Sequence, residues 1–200
     1  MMDDPLPQPA ASAPVDHADP AISPRDYRNT IGLFATGVTV IAVAHDDDLH
    51  AMTANAITSL SLDPPLVILC LARRARMVDE LRHANVFSIN ILREDQQALS
   101  TYFAGRWAEP APPPFRFVGW EGGPRLEGCL GAVACRLVDT LEGGDHYIIV
   151  GRVIGLYQAP EPRRPLLFFT GAYRQLDSQT APAPDLVEET MPVQIFYDPW

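Results

Sequence analysis

The chain has 200 residues, 47% of them apolar, with 15 basic against 25 acidic side chains and a formal net charge of -10. That length fits one domain of ordinary size with tails, and it can bury a substantial core. The acidic balance opposes attraction to a nucleic-acid backbone or an anionic lipid surface, so small molecules or proteins are the expected partners, with no nucleic acid and no membrane.

Residues 1–22, "MMDDPLPQPAASAPVDHADPAI", mix prolines, alanines and acids without apolar periodicity and read as a disordered arm. A domain over residues 23–176 then opens with a helix: Ser23 suits the N-cap, Pro24 the first turn, Tyr27, Ile31 and Phe34 share a face, and Gly37 is the expected stop. The β-branched run "VTVIAVAH" predicts a strand turning into a second near "LHAMTANA". "DPPLVILCLA" predicts another, with its prolines confined to the entrance. A short amphipathic helix "RMVDELRHA", a strand "NVFSINIL" and a helix "EDQQALSTYFAG" ended by Gly105 follow.

Residues 106–125 hold too much proline and glycine for a regular element, yet Trp107, Phe115, Phe117 and Trp120 predict a packed loop. "GCLGAVACRLVDTLE" and "HYIIVGRVIGLYQA", joined by "GGD", carry a hairpin signal, and "PLLFFTGAYRQL" closes the domain as a final strand. Six or seven strands and three helices without βαβ alternation favour a mainly β fold, a barrel with peripheral helices. Residues 177–200 form a tail whose aromatic end, Phe196, Tyr197 and Trp200, is expected to pack on the body or on a second subunit.

Cys70, Cys129 and Cys135 sit in apolar runs and read as buried thiols; if Cys129 and Cys135 share one strand, about 20 Å separates them, too far for a disulfide. Neither a secretory apolar region after Met1 nor an apolar run of about 18 residues is present, and a cytoplasmic location is the expectation. The histidines show no zinc spacing, no metal is expected, and the usual nucleotide fingerprints and serine elbow are absent.

Three constellations remain. Thr36, Thr53, Asn55, Thr58 and Ser59, interspersed with Ala54 and Ala56, offer short hydrogen-bonding groups and little bulk, which suits a flat heteroaromatic ring; strand edges and turns use the same residue types. Arg73, Arg74 and Arg76, between a strand and a helix start, suit an anion or a solvated face. In "EGGDHYIIVGRV", Gly143 and Gly144 permit close approach, Asp145 can orient a ring N–H, and His146 starts a strand; spacing alone favours a hairpin turn with an exposed histidine.

Taken in order, "FATGVTVIA", "AMTANAITSLSLDPPLVILCLARRARMVDEL", "NVFSINIL", "GDHYIIVGRVIGL" and "PLLFFTGAYRQL" resemble the flavin reductase-like family over about residues 23–176. The resemblance implies a split β-barrel, usually a homodimer, that uses NADH or NADPH to reduce FMN or FAD for a partner monooxygenase. It places Thr36, Thr53, Ala54, Asn55 and Ala56 around the flavin ring and ribityl chain with Ser59 nearby, and Arg74 and Arg76 at the phosphate. Gly144, Asp145 and His146 match the family's Gly-Asp-His motif, with His146 beside the nicotinamide, and Tyr173 falls in the closing "YR" pattern. Family members often carry Lys-Ser-x-Thr where this chain has Arg74, Ala75, Arg76 and Met77, so two phosphate-binding hydroxyls are missing. Two other readings are a flavoenzyme that keeps its flavin and acts directly on an organic substrate, and a non-catalytic binding module.

Overall fold

A computed structural model of the protein describes residues 22–45, 48–121, 123–160 and 164–177. The expected arm over 1–22 and tail over 177–200 therefore lie outside the described residues, apart from Ile22 and Asp177. Helix α1 (Pro24–Ile31) starts as expected: the Ser23 hydroxyl accepts the Asp26 N–H at 3.1 Å. It ends at Gly32 rather than Gly37, because α1 buries none of its residues and no packing surface sustains a further turn. Gly37 instead belongs to strand β1 (Thr36–Gly37), whose backbone pairs with Phe168 and Leu167.

The strands β2 (Thr39–His45), β3 (Asp48–Ala54), β5 (Pro65–Ala72) and β6 (Val86–Ile91) and the helices α2 (Arg76–Ala84) and α3 (Gln97–Phe103) stand where the periodicity puts them. The strand count differs: twelve occur among the described residues, against six or seven expected. One addition is β4 (Ile57–Leu62), which runs through the Thr/Ser stretch as an edge strand, so its polar side chains meet solvent and hide the usual apolar alternation. Two more, β7 (Phe117–Trp120) and β8 (Gly123–Leu126), form a short ribbon inside the expected loop. Around them Tyr102, Phe103, Phe115 and Phe117 pack ring on ring at 5.0–6.0 Å. The long hairpin is β9 (Gly131–Gly143) and β10 (His146–Gln158). The closing run splits into β11 (Leu167–Phe169) and β12 (Ala172–Arg174), because Thr170 and Gly171 both take positive φ and reverse the chain.

Every strand pair is antiparallel, in keeping with the absence of βαβ units. The main sheet runs β3-β2-β6-β9-β10-β5-β4, which puts two strands consecutive in the chain at its opposite edges. Laid flat, seven strands would hold those edges about 29 Å apart. Only residues 55 and 56 join Ala54 to Ile57, however, and three residue steps reach at most about 11 Å. The sheet must roll up on itself, and because β3 and β4 are not hydrogen-bonded to each other, the barrel is split along that seam.

One core cluster joins the sheet to α2 through Ile41, Leu69, Met77, Leu81, Phe87 and Ile149; another, around Val38, Val40, Leu92, Leu126 and Leu166, lies toward α3. Fully burying each such side chain contributes about 1.5–3 kcal/mol. Buried Asn90 is satisfied by Val40 O, Ser88 Oγ and the Leu126 N–H. The three cysteines are free, and Cys129 precedes β9 instead of sharing it with Cys135. Burial pushes the Cys135 thiol up to about 12.

Candidate functional site

Beside the connection between β3 and β4 lies a cleft of about 720 Å³, its sheet wall formed by β4, β5 and the start of β10. Asn55 bridges its floor, with the amide Nδ2 donating to Thr36 Oγ1 on β1 at 3.1 Å. Ala56 follows with its carbonyl accepting the Cys70 N–H at 2.9 Å, which fixes the connection to β5 while its methyl adds little bulk to the wall. Ile57, Ile68 and Phe168 supply apolar surface, and Tyr27, Ile31 and Phe34 close the other side from α1 and the turn after it.

His146 enters the same cleft from the start of β10. Its position is set by pairing with Ala72 of β5 on one side and Gly143 of β9 on the other, across the two-residue turn Gly144-Asp145. Gly144 has φ 65°, a left-handed conformation that glycine adopts without strain. His146 Nδ1 lies 2.7 Å from Asp145 Oδ1, so this contact engages Nδ1 and leaves Nε2 for a ligand. The same hydrogen bond, then the charge of His146 and more weakly that of Arg74, holds the Asp145 carboxyl below its usual value.

A second lobe of about 260 Å³ shares Asn55 and Phe168 with the cleft. Thr53 and Ala54 from β3, Ser100 from α3, Arg106 and Tyr173 line it. The lobe is held by hydrogen bonds: Thr53 Oγ1 donates to Ser100 O at 2.7 Å, and Ser100 Oγ lies 2.8 Å from the Tyr173 hydroxyl. Thr39 Oγ1 donates to Ala54 O at 2.7 Å. Tyr173 stacks edge-on against Phe168, centroids 5.5 Å apart.

The structure thus gathers Thr36, Asn55, Ala56 and His146 in one cleft and Thr53, Ala54 and Tyr173 in its side lobe. Ser59 lies on exposed β4 outside both lobes. Arg74 stands near Asp145 at the hairpin, and Arg76 points elsewhere, bonded to Glu80 Oε1 at 2.7 Å and Asp48 Oδ2 at 3.2 Å. Helix α2 has no side-chain cap at Ala75, which leaves its first N–H groups without one. Sequence reasoning missed Arg28, Cys70, Ser100, Arg106 and Phe168, none of which sits in a recognisable pattern. The stripe Tyr27, Ile31, Phe34 was legible, but that it faces a cleft and not a core was not.

An apolar trough with an amide and a hydroxyl on its floor and an imidazole at one end suits a flat ring with a polar edge, and its volume falls within the range of about 300–1,000 Å³ typical of small-molecule sites. Flavin fits this donor set and size. Among the described residues no group of three His, Cys, Asp or Glu could hold a metal, and no helix is long and apolar enough to cross a membrane.

Comparison with known proteins agrees with the geometry. An NADH-dependent flavin reductase from a Rhodococcus species is 43% identical over 162 residues, covering 80% of this chain and 90% of that protein. The reductase component of 4-hydroxyphenylacetate 3-monooxygenase from Thermus thermophilus is 39% identical over 150 residues, 75% of this chain and 95% of that one. Among solved structures, the NADH:FAD oxidoreductase of Streptomyces globisporus in complex with NAD and FAD fragments superposes with a TM-score of 0.71 at 32% identity, covering 80% and 98% of the two chains. The family model described as a flavin reductase like domain matches residues 31–177, which spans every strand that builds the cleft, and the chain belongs to that family.

Proposed function

We propose that the protein is an NADH-dependent flavin reductase, which binds FMN or FAD without a covalent bond and supplies the reduced form to a partner monooxygenase. The observation that carries this reading is the convergence of His146 from β10, Thr36 from β1, and Asn55 and Ala56 from the β3–β4 connection on one cleft. When bound, flavin and nicotinamide supply the hydride transfer itself; the chain supplies orientation. Asn55 and Thr36 offer an amide and a hydroxyl to the flavin's polar edge, Ala56 leaves its face open, and the apolar walls give the ring a surface to lie against. His146 positions the nicotinamide through Nε2, with Asp145 holding the imidazole by Nδ1. We assign Arg74, which stands near Asp145 at the hairpin, to the phosphate end of the flavin.

Relatives named as reductase components of monooxygenases support the release of reduced flavin to a second protein. We further assign the protein a homodimeric state and a cytoplasmic location. Tyr27, Ile31 and Phe34, which line the cleft, and neighbouring Leu33 are each more than half exposed, an apolar surface that a second subunit would cover. The test is steady-state NADH oxidation with added FMN or FAD, combined with rapid dilution to follow flavin release. Oxidation in proportion to added free flavin is expected. Flavin that copurifies stoichiometrically and never exchanges would refute release, and an absence of NADH oxidation would refute the activity.

A further inference from the structure

The three arginines before α2 read in the sequence as one anion-binding cluster, but the structure sends them to different places. Arg76 is committed to Glu80 and Asp48. Arg73 turns toward the hairpin that carries His146. Its backbone N–H donates to Asp145 O at 3.0 Å and its side-chain Nε donates to Gly144 O at 2.7 Å. Nη1 reaches Glu142 Oε1 at 3.4 Å, and the guanidinium carbon sits 4.9 Å from the centroid of the Tyr147 ring. One residue therefore holds positions 142, 144, 145 and 147, which flank His146 on both sides.

That grip adds to the ladder, which pairs His146 with Ala72 and Gly143 but does not include the turn residues Gly144 and Asp145. Gly143 and Gly144 lose more backbone entropy on ordering than any other residues would. Among the described residues, the one hydrogen bond of the His146 ring runs to Asp145, whose side chain is 94% exposed and so is itself poorly anchored. The hold continues into the body, since Arg82 of α2 also lies over Tyr147 at 4.9 Å and pairs with Asp79. We propose that Arg73 is a positioning residue for His146: it clamps the turn 143–145 by its Gly144 and Glu142 contacts and so fixes where the imidazole meets the nicotinamide side of the cleft. This rests on the functional reading of His146 given above. Arg73 is not part of the phosphate site.

The test compares full-length Arg73→Gln and Arg73→Lys with the unaltered protein. Three quantities are read: kcat and KM for NADH at saturating FMN, the FMN dissociation constant from flavin fluorescence, and amide hydrogen exchange at Gly144, Asp145 and His146 by NMR. Arg73→Gln is expected to lower kcat/KM for NADH about tenfold, a loss typical of a displaced positioning group. Exchange at 144–146 should rise by about the same factor while FMN affinity stays within about twofold. Arg73→Lys should recover part of the loss, since an ammonium can donate to Gly144 O but lacks the fork that also reaches Glu142. Unchanged kcat/KM together with unchanged exchange would overturn the proposal. So would a loss of FMN affinity equal to the loss in kcat/KM, which would make Arg73 a flavin contact. If the unaltered protein oxidises no NADH, the functional reading fails on its own, and the exchange rates still decide whether Arg73 holds the turn.

Discussion

Gly151, in the middle of β10, offers a sharp test of how the rolled sheet is packed. A methyl group built on its backbone would lie 2.8 Å from Phe87 Cζ, 3.1 Å from Cys135 Cβ and 3.4 Å from Phe87 Cε1. Both neighbours are 0% exposed, so neither can swing into solvent. Gly151 does not have a positive φ, which makes crowding and not backbone strain the cost of a side chain. Overpacking of this kind destabilises by about 1–3 kcal/mol. For a chain of this size each kcal/mol moves the midpoint by about 2–4 °C, so Gly151→Ala at about 2 kcal/mol should lower Tm by about 4–8 °C. Thermal unfolding followed by circular dichroism measures it. A second variant isolates the cause: Phe87→Leu removes the clashing Cζ, so adding Gly151→Ala on that background should cost about 1 kcal/mol less than it does alone. A Tm for Gly151→Ala within a degree of the parent, or strict additivity in the double variant, would refute the argument.

His146→Ala should cut kcat/KM for NADH at least about tenfold while FMN affinity and Tm hold, because the ring is exposed and its bonded partner Asp145 is too; unchanged turnover would remove His146 from the site. Burial, reinforced by the charge of Arg76 and only partly offset by Glu80 and Asp48, keeps His50 below its ordinary 6.5. The unfolded chain then takes up a proton near pH 6.5 that the folded chain refuses, so stability should fall as pH drops below 6.5, and His50→Gln should flatten that slope in chemical-denaturation series. Iodoacetamide should label Cys70, which lines the cleft, before the buried Cys129 and Cys135, whose thiols are both pushed up by burial. Bound flavin should slow that first labelling, and equal labelling with and without flavin would place the ligand elsewhere.

The apolar elements were readable because their side chains repeat with the period of the structure they form. "RMVDELRHA" became α2 at those bounds, and Ser23 capped α1, each from a local signal. β4 was not readable: Thr58, Ser59 and Ser61 on an edge strand are selected by solvent on one side and a ligand cleft on the other, and neither leaves an alternating apolar trace. The site divides the same way. His146 and the 53–56 segment stood out as a motif, whereas Cys70, Ser100 and Phe168 became site neighbours only through pairings of distant strands. The arginine cluster shows the limit most clearly, since three cations within four residues looked alike in sequence and were separated only by where Glu80, Asp48 and the 142–145 turn lie in space.

Residues 55 and 56 tie together the first and last strands of the seven-stranded order, and the cleft beside them is lined from α1, β1, β4, β5, β10 and β11, so its wall is complete only when segments far apart in the chain have come together. Ligand affinity is therefore felt by the whole domain: at a flavin concentration 100 times the dissociation constant, mass action would add about 2.7 kcal/mol to global stability. A reductase that gives up its reduced flavin gives up that support in every cycle, and the sheet, the core and the Arg73 clamp must hold the fold alone until the next flavin arrives.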